Sequence, residues 1–170
     1  YGFGDDLLIA VGQGGKYVGG SGTDTLYADW SVNTVSAVFD SSLGDEQIVN
    51  GVTISGIERF LLKLGSGDDV LNIQSGGSHE IQAGAGDDRI SINSGTVYGG
   101  DGNDVIESHS GIVDGGTGND IIRGMTNGSV EGGIGNDELV ADLSSNQAIE
   151  GDYYNGYYAR NLQYWRVDGQ

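Results

Sequence analysis

The chain has 170 residues, 33 of them glycine, with no proline and no cysteine, and its 25 acidic against 7 basic residues give a formal charge of −18. Without cysteine there is no disulfide framework and no thiolate chemistry, and without proline or a Gly-X-Y period there is no collagen helix. So negative a surface repels nucleic acid and anionic lipid, and no apolar run approaches the roughly 20 residues that span a bilayer.

The chain opens at Tyr1 with neither an initiator Met nor a basic-then-apolar leader, and is expected to be a segment of a longer protein. One short pattern then recurs. It stands as YGFGDDLLI at 1–9, GGSGTDTLY at 19–27, LGSGDDVLN at 64–72 and AGAGDDRIS at 83–91. It returns as GGDGNDVIE at 99–107, GGTGNDIIR at 115–123 and GGIGNDELV at 132–140. Every copy has Gly at positions two and four, Asp at six and an aliphatic residue at eight. The aspartates are Asp6, Asp24, Asp69, Asp88, Asp104, Asp120 and Asp137, with successive separations of 18, 45, 19, 16, 16 and 17.

Two aliphatic columns keep the same period. Ile81, Val97, Val113 and Val130 precede the glycine-rich turns, and Leu71, Ile90, Ile106, Ile122 and Leu139 follow them. Small polar bends separate the two sets at Asn93-Ser94-Gly95, His109-Ser110-Gly111 and Thr126-Asn127-Gly128. Helix fails as a reading, because an interior glycine costs about 1 kcal/mol and each unit holds three or four. The spacing predicts an all-β parallel solenoid of about 16–19 residues per coil, with both aliphatic columns pointing inward.

Residues 25–64 break the rhythm. They form either irregular, metal-poor coils continuing the solenoid or a loop that leaves and returns, and the β-rich runs at 34–39, 47–54 and 59–64 favour continuation. The tail, 147–170, changes composition again and crowds Tyr153, Tyr154, Tyr157, Tyr158, Tyr164 and Trp165 together. The expected division is a solenoid over 1–146 and an aromatic cap, or the start of another module, over 147–170.

The turns carry the chemistry. Glycine at positions two and four admits positive φ without steric cost, which bends carbonyl oxygens into the turn where the aspartate also aims. Neighbouring strands lie about 4.8 Å apart, so stacked carboxylates repel unless a cation sits between them. An oxygen-only shell suits Ca²⁺; Mg²⁺ prefers a tighter octahedron, and zinc wants imidazole or thiolate.

These copies resemble the GGxGxDxUx nonapeptide of the RTX (repeats-in-toxin, haemolysin-type) calcium-binding family, U being a large aliphatic residue. The resemblance covers most of 1–140, with a gap over 25–64. It implies a right-handed parallel β-roll with Ca²⁺ between successive turns, held by the seven position-six aspartates and by turn carbonyls. Carried across, the glycines concerned are Gly65, Gly67, Gly84, Gly86, Gly100, Gly102, Gly116, Gly118, Gly133 and Gly135. Family rolls often repeat every nine residues with metal turns on both edges. Here the spacing is 16–19 and the opposite bends lack the motif, so one calcium edge is expected. Five gaps imply about five ions, which would take the charge from −18 to about −8. The resemblance further implies a folding module of a larger secreted or cell-surface bacterial protein, exported unfolded by type I secretion and folded by external calcium.

Other features are weaker. His79 and His109 fall in the opposite bends and are expected as solvated turn residues. Glu107 and Arg123 occupy equivalent positions on adjacent coils and are expected as an exposed pair. No nucleophile–base constellation stands out, so the segment is expected to be non-catalytic. The alternative function is polysaccharide binding, as in adhesins or alginate-modifying enzymes, through Tyr153, Tyr154, Tyr157, Tyr158 and Trp165.

Overall fold

The computed structural model describes residues 2–43, 46–74, 76–142, 150–152, 158–160 and 166–168, with side-chain surroundings as far as Val140. Among these there is no α-helix, and one 3₁₀ turn at Ser41–Leu43 is the only helical element. Parallel pairing dominates, as the sequence period requires. One long wall runs through Leu7–Ala10, Thr25–Asp29, Arg59–Lys63, His79–Ala85, Arg89–Asp101 and Val105–Thr117, in that order. Asn127–Glu131 extends it. The facing wall stacks Val38–Asp40, Val70–Ile73, Arg89–Asp101, Val105–Thr117, Ile121–Arg123 and Glu138–Asp142.

Both inward columns are where the period puts them. Leu62, Ile81, Val97, Val113 and Val130 are register partners in one wall. Phe39, Leu71, Ile90, Ile106, Ile122 and Leu139 are partners in the other. All are buried. Aliphatic and β-branched side chains on a pleated surface favour strand over helix, and each coil can bury its apolar face only against the next. Two strands are longer than the pattern suggests. Arg89–Asp101 and Val105–Thr117 pass through the small bends without losing pairing, because Ser94 and Gly95 stand in register with Ser110 and Gly111.

The irregular segment continues the solenoid. Gln47–Val49 folds back antiparallel on Val52–Ser55, and the latter pairs with Lys16–Val18. Arg59–Lys63 then re-enters the long wall. This strand pairs along its whole length with Thr25–Asp29, which follows a motif turn, and through Leu61–Lys63 with His79–Ala85, which precedes one.

The consequence is a correction to the single calcium edge. The turns of Asp6 and Asp24 lie on one edge, where a methyl on Gly76 would overlap Glu58 O, so the later plain bends also belong there. Asp69, Asp88, Asp104, Asp120 and Asp137 lie on the other, above residues 30–37, whose Asn33 O would overlap a methyl on Gly65. The interval of 45 is therefore not a whole number of coils. It consists of one long coil from Asp24 to Glu58, separated by 34 residues, and a half coil from Glu58 to Asp69.

His79 also departs from expectation. It is buried at 2 % exposure, its Nδ1 accepts the Phe60 N–H at 3.2 Å, and its ring lies 5.9 Å from that of Phe60. His109 is exposed as expected. Glu107 and Arg123 are exposed register partners, yet among the described residues no ion pair joins them. Tyr153, Tyr154, Tyr157 and Trp165 lie outside the described residues, and of Tyr158 only the backbone is described.

Candidate metal centre

Each motif turn is set by glycines. Gly84, Gly100, Gly116 and Gly133 at position two, and Gly86, Gly102, Gly118 and Gly135 at position four, have positive φ between 91° and 155°. Side chains with a Cβ rarely adopt that conformation. Gly65 and Gly67 differ from the expectation, since neither has positive φ. They are glycine because of close approach: methyls there would overlap Asn33 O and Ser36 N of the coil below.

The turn aspartates form a ladder through one oxygen. Asp88 Oδ1 accepts the Asp69 N–H at 2.7 Å, Asp104 Oδ1 that of Asp88 at 2.8 Å, and Asp120 Oδ1 that of Asp104 at 2.8 Å. Asp137 Oδ1 accepts the Asp120 N–H at 2.9 Å. Below them, Asp69 Oδ1 takes the Ala37 N–H at 2.6 Å. The first edge repeats the arrangement, with Asp24 Oδ1 accepting the Asp6 N–H at 2.9 Å.

The other oxygen has nothing. Oδ2 of Asp24, Asp69, Asp88, Asp104 and Asp120 is buried with no hydrogen-bond partner, on side chains no more than 1 % exposed. A buried, unpaired carboxylate oxygen is among the costliest groups a fold can hold. Burial pushes Asp88 up to about 8 and Asp69 and Asp120 up to about 6, and it raises Asp104 as well. Neighbouring carboxylates add to the effect, Asp104 and Asp69 on Asp88 among them.

The sequence reasoning missed the position-one glycines. A methyl on Gly99 would overlap both Asp104 Oδ2 and the Gly115 carbonyl of the next coil. One on Gly115 would overlap Asp120 Oδ2 and Gly132 O in the same way. The unpaired carboxylate oxygen and the next coil's carbonyl thus converge on one point that only glycine leaves open. The doubled glycine of the motif was the available signal. Position-four carbonyls are stacked as well, Gly86 O against Gly102 and Gly102 O against Gly118.

This donor set fits calcium. It offers one carboxylate per coil and several backbone carbonyls, all oxygen. Among the described residues no three acidic, His or Cys side chains converge, which a site built mostly from main-chain carbonyls does not require. Imidazole and thiolate are absent from the turns, as zinc or copper would not tolerate.

A second ladder lies outside the first. Asp87 N–H donates to Asp68 Oδ1 at 2.9 Å, Asn103 to Asp87 at 2.8 Å, Asn119 to Asn103 at 2.9 Å and Asn136 to Asn119 at 2.9 Å. These position-five residues donate to the coil before, whereas the inner aspartates donate to the coil after.

No curated protein and no solved structure matches the chain significantly. The family model of the RTX calcium-binding nonapeptide repeat matches four copies, at residues 17–37, 74–95, 96–112 and 110–126. Those segments contain the turns of Asp24, Asp88, Asp104 and Asp120, four of the five aspartates with an unpaired buried oxygen. The chain carries RTX calcium-binding repeats, stacked as a parallel β-solenoid.

Proposed function

We propose that the chain is a calcium-folded structural module of a larger secreted protein, unfolded during type I export and ordered by external calcium. The observation that carries the reading is the file of buried, unpaired aspartate oxygens. Without a cation these groups oppose folding, and the glycine-rich turns add an ordering cost of about 1–2 kcal/mol per residue. With a cation, binding free energy becomes folding free energy. Extracellular modules bind calcium at about 10⁻⁴–10⁻³ M, so such a chain stays loose at cytosolic calcium and closes outside. RTX repeats are typical of secreted bacterial proteins, which supports the location.

The ions number about five in this reading, held by Oδ2 of the turn aspartates and by turn carbonyls. Its role is structural rather than catalytic. Far-UV circular dichroism with and without calcium tests it. A strand signal gained with calcium and lost with chelator is expected, and identical spectra would overturn the reading.

A further inference from the structure

We infer that the first edge holds a divalent, oxygen-coordinated cation that the repeat motif does not mark, between the Asp24 turn and residues 56–58, with Glu58 standing in for the repeat aspartate. The inference rests on the calcium reading above and names a further ligand for it.

Five aspartate Oδ2 atoms are buried without a partner. Those of Asp24, Asp104 and Asp120 lie beside a carbonyl of the coil that follows. For Asp69, Asp88, Asp104 and Asp120 the following coil brings another motif turn. For Asp24 it brings Ser55-Gly56-Ile57-Glu58, which contains no aspartate and no GxGxD. Asp24 is 0 % exposed, so its second oxygen has no access to water.

The short turn nevertheless reproduces the motif geometry. Glu58 Oε2 accepts the Asp24 N–H at 2.8 Å, the bond that Asp120 Oδ1 makes with Asp104. Arg59 N–H donates to Asp24 O at 3.0 Å, as Ile121 N–H donates to Asp104 O at 2.8 Å. A methyl on Gly19 would overlap both Asp24 Oδ2 and Gly56 O, as one on Gly99 would overlap Asp104 Oδ2 and Gly115 O. Gly56 therefore supplies the carbonyl that a position-one glycine supplies elsewhere.

The chemistry explains the substitution. Between its glycine and its acid this turn has one residue, where the motif has four between position one and position six. The backbone at Glu58 cuts the corner, and a side chain one methylene longer than aspartate restores the carboxylate to its place. A hard cation would find Asp24 Oδ2 and the Gly56 carbonyl converging on one point, with the Glu58 carboxylate held beside it at the Asp24 N–H, a calcium-type donor set.

Crystals of the whole chain grown in calcium, with anomalous scattering recorded at long wavelength, test the inference directly. An anomalous peak bonded to Asp24 Oδ2 and the Glu58 carboxylate is expected, alongside peaks between Asp88 and Asp104. A peak at the second place with none at the first overturns the inference and leaves the calcium reading standing. No peak at either place overturns both. Glu58→Gln provides a check in solution, because the amide oxygen keeps the bond to Asp24 N–H while the charge is lost. Calorimetry is expected to count one ion fewer for this variant, and an unchanged count in a folded variant counts against the site. Should the variant fail to fold, the wild-type density decides.

Discussion

Asp120 uses its two carboxylate oxygens for different purposes: Oδ1 accepts the Asp104 N–H at 2.8 Å, and Oδ2 is buried with no partner. One oxygen sets the register of the coils, and the other waits for charge. Substitutions can separate these roles.

Asp104→Asn keeps an acceptor for the Asp88 N–H but removes the charge. The ladder should survive while calcium binding in the flanking gaps weakens by at least about tenfold, since even losing an outer-shell partner costs that much. Calcium titration followed by tyrosine fluorescence or calorimetry measures it.

Gly99→Ala tests the close approach. The new methyl would overlap Asp104 Oδ2 and Gly115 O, and overpacking of this kind costs about 1–3 kcal/mol. Gly12, whose φ is +73° with open space around its Cβ position, provides the contrast. Gly12→Ala should be milder, about 1–2 kcal/mol, and should leave the calcium midpoint alone. Denaturant melts in saturating calcium distinguish the two.

The outer ladder is separable from the inner one. Asn103→Ala removes the acceptor for the Asn119 N–H and side-chain amide and the donor to Asp87 Oδ1, exposed bonds each worth about 0.5–1.5 kcal/mol. Stability should fall by no more than their sum, with calcium stoichiometry unchanged in calorimetry.

Proton linkage has a definite sign. The folded, ion-free turns hold Asp88 at about 8 and Asp69 and Asp120 at about 6, above an unfolded value of about 4. Their protonation stabilises the ion-free fold fully below about pH 4, and that help is lost as pH rises towards 8. Calcium competes with the same protons. Its apparent affinity should rise with pH between about 6 and 8, by up to about tenfold per pH unit where one proton leaves per ion. The strand signal without calcium and the calcium affinity, measured at pH 5, 6, 7 and 8 by circular dichroism and titration, should trend in opposite directions.

The solenoid and both of its aliphatic columns were legible because Ile81, Val97 and Val113, like Ile90, Ile106 and Ile122, recur at the coil length. The ladder aspartates were legible for the same reason. The change of edge was not. It depends on Glu58, whose turn has lost the glycine pattern, and on the hairpin of Gln47–Val49 with Val52–Ser55, which lengthens one coil. An interval of 45 looks like nearly three coils unless the stacking of Glu58 under Asp24 is known. His79 was misread as solvated because a bend in sequence became the first buried position of His79–Ala85.

Arg59–Lys63 starts beside one file of turns and ends at the other. On the first edge, nothing past Glu58 offers a carboxylate in the bends at 76–78 and 93–95. On the second, the lowest rung presents Ala37 where an acid would stand. Each row of fastenings therefore stops at this splice, one ending as the other begins. The protein is two clasps set back to back on a shared bar, and opening one should leave the other shut.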